Sequence, residues 1–155
     1  MIVLTHRSNG QALVLVALTL AVLITLIVGM NEVALRRRTQ TRIQDSLDQA
    51  AVAAAIELDP ASLAANTPDL ISAPAEARFR AVLRSGLSRV TSAIDSDPAT
   101  LAQQAQVSIV PAGGRCAGQP VAAPAVCASL TLRISSVLSV PVLTFTSVAQ
   151  VRRPS

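Results

Sequence analysis

Residues 12–30 read ALVLVALTLAVLITLIVGM, and residues 31–58 continue as NEVALRRRTQTRIQDSLDQAAVAAAIEL. The first stretch is 19 consecutive uncharged residues, 12 of them Leu, Ile or Val. Wound as a helix it rises roughly 28 Å, close to the hydrocarbon thickness of a bilayer. Thr19 and Thr25 can bond back to their own helix, so neither hydroxyl spoils the span. A cleaved secretory signal has a shorter apolar region with small residues at a cleavage site just beyond it. Here Asn31, Glu32 and then Arg36-Arg37-Arg38 follow instead. A buried core helix this uniformly apolar needs more protein around it than the remaining 125 residues supply. Residues 12–30 therefore read as a single transmembrane helix preceded by a short basic leader, 1–11.

The helix does not stop at Met30. Residues 31–58 contain neither Gly nor Pro and are rich in Ala, Arg, Gln and Leu, good helix formers. Ile43, Leu47, Ala50 or Ala51, Ala54 and Leu58 recur at the spacing of one helix face. Pro60 ends the run, which predicts one helix of about 47 residues, roughly 70 Å long, with 31–59 as its extramembrane continuation. Ala50, Ala51 and Ala54 form a small-residue stripe that allows close backbone approach. Two receptors fit that stripe, a partner helix or the chain's own domain, and both can hold.

Composition narrows the function classes. Of 155 residues 51% are hydrophobic and 14% charged, with mean hydropathy +0.51, which excludes a disordered chain. Phe79 and Phe145 are the only aromatics, too few for a platform that stacks single-stranded nucleic acid. The net charge of +4 is all arginine, split as +1 over 1–30, −1 over 31–59 and +4 over 60–155. These arginines are scattered, whereas a nucleic-acid partner wants them massed on one face. One His, two Cys and no spaced acid cluster supply no catalytic residues, no metal ligands and no cofactor or small-molecule site. Asp45 and Asp48 lie on one helix face and read as ion-pair partners of Arg42.

Beyond the long helix, residues 60–155 read as a small α+β domain. Asp59-Pro60-Ala61-Ser62-Leu63-Ala64 and Asp97-Pro98-Ala99-Thr100-Leu101-Ala102 are near copies of a helix start, with Asp as N-cap and Pro at the first helical position. Residues 64–73 read as linker. A helix is predicted over 74–94, with Phe79, Val82, Leu83, Leu87, Val90 and Ile94 as its apolar stripe. Alternating segments at 106–111, 129–137 and 144–152 predict about three antiparallel strands, with Pro141 in the turn between the last two. One or two helices would cover that sheet, and a cysteine loop would join its first two strands.

Cys116 and Cys127 bracket a Gly- and Pro-rich loop, Cys-Ala-Gly-Gln-Pro-Val-Ala-Ala-Pro-Ala-Val-Cys. A pair closing so short a loop suits a disulfide in an oxidising compartment. That places the C-terminal domain outside the cytoplasm. The flanking charge points the other way, because Arg36, Arg37, Arg38 and Arg42 outweigh Arg7 and the positive-inside rule draws them to the cytoplasm. A bitopic sensor or scaffold with a cytoplasmic domain is the reading that follows from charge alone.

Several features together resemble a known family. They are the leader ending Arg7-Ser8-Asn9-Gly10, the opening Gln11-Ala12-Leu13-Val14-Leu15 of the aliphatic span, and the run Arg36-Arg37-Arg38 … Arg42-Ile43-Gln44 … Leu47-Asp48-Gln49-Ala50-Ala51-Val52-Ala53-Ala54-Ala55. This pattern is similar to the TadE/TadG-like proteins of the tight-adherence (Flp-type) pilus assembly system, and it covers roughly residues 7–56. The terminal strand pair, Leu130-Thr131-Leu132 … Ser147-Val148-Ala149, is laid out as in that family. The resemblance implies a non-catalytic, single-pass membrane component whose partners are lipid and other pilus-assembly proteins or pilins, met through the N-terminal helix. Family members that act as pseudopilins are cut after a Gly by a membrane aspartyl peptidase and carry Glu at the fifth mature position. Carried over, Gly10 and Gln11 flank the scissile bond, and the fifth residue is Leu15. Glu32 lies at the far end of the span and cannot replace the missing Glu. An uncleaved anchored accessory protein thus fits as well as a minor pilin.

Overall fold

A computed structural model describes residues 6–57, 62, 70–135 and 140–151, with side chains from residue 12 onward. The chain divides into two compact units, 1–37 and 38–155. Helix α1, His6–Ala54, crosses that division, so its last turns belong to the second unit.

Over residues 12–30 α1 is apolar on all sides. Thr19 Oγ1 donates to Leu15 O at 2.9 Å and Thr25 Oγ1 to Ala21 O at 2.8 Å, which takes both hydroxyls out of competition for solvent. No side chain of the most apolar window is buried.

The second unit is an α+β fold built on one sheet. Its elements after α1 are helix α2 (Ser72–Leu87), a 3₁₀ turn (Thr91–Ala93), helix α3 (Pro98–Gln104) and strands β1 (Gln106–Val110), β2 (Arg115–Cys116), β3 (Gln119–Pro120), β4 (Ala125–Arg133) and β5 (Val142–Gln150). The main sheet has the order β1-β4-β5 and is antiparallel throughout, while β2 and β3 form a separate two-stranded hairpin. Strand alternation sorts the side chains onto two faces. Val126, Ala128, Leu130 and Leu132 of β4 and Phe145, Ser147 and Ala149 of β5 are buried on one face. The opposite face carries Ser108, Ser129, Thr131, Thr144 and Thr146, with Thr131 and Thr144 hydroxyls 3.0 Å apart across the strands.

Three helices cover the buried face. From α1 come Ile43, Leu47, Ala50, Ala51 and Ala54, all with no exposed surface. From α2 come Ala75, Phe79, Leu83 and Leu87, one residue per turn, and α3 adds Leu101 and Ala102. Burying a Leu or Phe side chain fully contributes about 1.5–3 kcal/mol, so this shared cluster is where the unit's cohesion resides. Gln44 Nε2 also donates to Thr146 O at 2.9 Å, which docks α1 on the free edge of β5. The same amide donates to Asp48 at 2.9 Å, the partner found for a carboxylate expected to pair with Arg42.

Several boundaries differ from expectation. Helix α1 ends at Ala54 where the sequence predicts 58, and Leu58 lies outside the described residues. The first Asp-Pro copy, Ser62 apart, also lies outside them, whereas the second behaves as predicted. Asp97 Oδ2 accepts from the backbone N–H of Ala99 and Thr100 at 3.0 and 3.1 Å. The stretch predicted as linker ends in structure: Leu70 is buried and the Ile71 N–H donates to Glu57 O at 3.2 Å.

Helix α2 stops at Leu87, seven residues before the predicted Ile94. Ser88, Arg89 and Val90 make a closing turn, and Ile94 is extended and bridges Ile134 antiparallel. Val90 and Ile94 are buried, as a helical stripe predicts, but the second does its burying from an added strand-like bridge. Strand β4 begins at Ala125, four residues earlier than predicted, because both neighbouring strands pair with it from there. The hairpin of β2 and β3 has no counterpart in the sequence reading.

Candidate anchor, packing stripe and cysteine bridge

Gly10 and Gln11 both lie in the first turns of α1 as helical backbone. Immediately after them every Leu, Ile, Val and Met through Met30 is more than half exposed, from 52% at Val22 to 74% at Met30. A helix that is apolar on all sides is stable when something apolar surrounds it, a protein core or lipid. Within its own unit no protein core surrounds this one. Its best window has mean hydropathy 2.9, so it is long and apolar enough to cross a membrane.

The alanine stripe has a different setting. Ala50, Ala51 and Ala54 sit in the same buried cluster as Phe79, Leu83 and the sheet's inner face, so the chain's own domain covers them. Small residues here let α2 approach closely. One close approach falls at Gly86, where an added Cβ would stand 2.7 Å from both Cβ and Oγ of Ser46. The predicted helix over 74–94 runs through Gly86 without assigning it a role, because its constraint comes from the opposing helix.

Cys116 and Cys127 are joined, with their Cα atoms 5.8 Å apart. The bond runs from β2 to β4 and clamps the β2–β3 hairpin onto the sheet. That hairpin turns on Ala117 and Gly118, whose φ values of 49° and 83° are both left-handed, as a two-residue type I′ turn requires. Around the bond lies a second, smaller apolar cluster of Cys116, Val121 and Ala125, with Val110 and Cys127 against it. The exposed pair Ala-Gly was the available signal for the hairpin, but Ala in a left-handed position is an uncommon choice and reads as loop.

A further feature was not legible as a site. Three of the scattered arginines, Arg42, Arg78 and Arg89, line one cleft of about 690 Å³ between α1 and α2. Among the described residues, His, Cys, Asp and Glu form no group of three that could hold a metal ion.

Comparison with known proteins bears on the first third of the chain. No curated protein and no solved structure matches it. The model of the Tad family, described as "Putative Flp pilus-assembly TadE/G-like", matches residues 10–57. That stretch contains the exposed apolar helix, the arginine flank and the alanine stripe, and it ends three residues beyond the last residue of α1, Ala54. Residues 10–57, under half of the chain, are thus similar to the TadE/G-like family of Flp pilus assembly.

Proposed function

We propose that this chain is a non-catalytic, membrane-anchored component of tight-adherence pilus biogenesis, an accessory protein or minor pilin-like subunit. The observation that carries it is the all-round exposure of apolar residues 13–30 inside the matched stretch. In this reading α1 crosses the bilayer once and meets lipid and the helices of other pilus-assembly proteins by van der Waals packing. The small α+β unit stands on the extracytoplasmic side, where an oxidising environment keeps Cys116 bonded to Cys127. With Leu15 rather than Glu at the fifth position after Gly10, an anchor that stays in the membrane fits as well as a filament subunit.

A second reading rests on the charge flank. Arg36, Arg37, Arg38 and Arg42 would hold the C-terminal side in the cytoplasm, making the chain a bitopic sensor or scaffold. Thiol labelling in intact cells separates the two. The pilus reading expects Cys116 and Cys127 to react only after reduction and from the outside, with the protein in the pellet after alkaline carbonate extraction. Free thiols reached only from the cytoplasm would reject it, as would a carbonate-soluble product. Mass spectrometry of the native N-terminus then divides the first reading: a chain beginning at Gln11 marks pseudopilin processing, and an intact Met1 marks an accessory anchor.

A further inference from the structure

The cleft between α1 and α2 carries unbalanced charge. Arg42 and Asp45 line it from α1, and Arg78 and Arg89 from the facing side, so three guanidinium groups meet one carboxylate. The α2 ion pair, Arg80 to Glu76 at 3.4 Å, does not relieve this. Arg80 is two residues on from Arg78 and therefore projects from the other side of the helix.

Arg78 and Arg89 are eleven residues apart along α2 and its closing turn, roughly 16 Å at the helical rise. A segment that carries two carboxylates gives each guanidinium its own partner, whereas a single phosphate offers one charge centre between them. An extended peptide covers that distance in about five residues. Between the two arginines the lining offers the Ser85 hydroxyl, the Gln49 amide and the apolar surface of Val82, which suit the backbone and small side chains of such a segment. The close approach of Gly86 to Ser46 fixes the two walls relative to each other.

We propose that this cleft binds an acidic segment of a partner protein in extended form. Carboxylates about five residues apart pair with Arg78 and Arg89, and Arg42 closes on the segment from the opposite wall. The inference is separate from the pilus reading and stands or falls by itself.

The test uses the full-length chain in nanodiscs of neutral lipid and a fluorescent twelve-residue peptide of alternating Glu and Ala. The exposed pair R78E/R89E should weaken binding by about tenfold or more, R78K/R89K should largely preserve it, and added salt should weaken it throughout. R133E, on the sheet's far end, should leave it unchanged. Equal binding to R78E/R89E overturns the proposal, and so does equal binding of a Gln-for-Glu peptide. An equal loss in R133E would reduce the effect to general charge. Displacement of the peptide by millimolar inorganic phosphate would make the cleft a small-anion site and reject the peptide.

Discussion

Replacing Gly86 by Ala separates packing from propensity, because the two push stability in opposite directions. The new Cβ would lie 2.7 Å from Ser46 Cβ and Oγ and 3.5 Å from Ser46 Cα. Rotating the hydroxyl removes only one of these contacts, since Cβ is fixed by the backbone. Carbon atoms pack best at about 3.5–4.0 Å, so α1 and α2 must part locally by about 1 Å. Overpacking of this kind costs about 1–3 kcal/mol. Exchanging Gly for Ala inside a helix returns up to about 1 kcal/mol, and less at the second-last position of α2. We expect G86A to destabilise the domain by about 1–2 kcal/mol net. Urea titration of the full chain in detergent, followed by far-UV circular dichroism, measures this; the apolar half of α1 supplies a constant background. S46G removes the opposing Cβ, so the double variant should recover most of the loss, with a coupling energy of about 1–2 kcal/mol. If G86A is as stable as the parent, propensity has won and the helices are not in the close contact described. If G86A and S46G simply add, the clash is not with Ser46.

Two further outcomes follow from the cysteine hairpin. Replacing both Cys116 and Cys127 by Ser opens a loop of sequence separation 11 and should cost about 3 kcal/mol by loop-closure entropy. Melting curves of the parent in reductant should then coincide with those of the double variant, and an unchanged melting temperature would show that the bond adds nothing to the folded state. A117G relieves a left-handed alanine and should raise stability by up to about 1 kcal/mol, read by the same urea titration; a loss there would contradict the type I′ turn.

The fold was readable wherever one chemical pattern had one structural solution. Nineteen uncharged, mostly aliphatic residues in a row predict a helix long enough to cross a bilayer, and the apolar positions Ile43, Leu47, Ala50, Ala51 and Ala54 could lie on one face only if that helix continued. Alternation likewise announced the three strands, and Asp97-Pro98 announced a helix start through its own side-chain geometry. Where a pattern had two solutions, the residues could not choose. Val90 and Ile94 suit a continuing helix or a strand-like bridge equally well, and the bridge to Ile134 exists only because β4 passes alongside.

The amino-acid sequence by itself determined the apolar span, the helical run beyond it and the α+β character of the domain, because each depends on neighbours within a few turns of the same segment. Tertiary structure alone decided which surface the alanine stripe meets, why a side chain at Gly86 would press on Ser46 and how scattered arginines come to line one cleft. Those properties depend on residues that are distant along the chain and close in space: Ser46 against Gly86, and Arg42 across from Arg78 and Arg89.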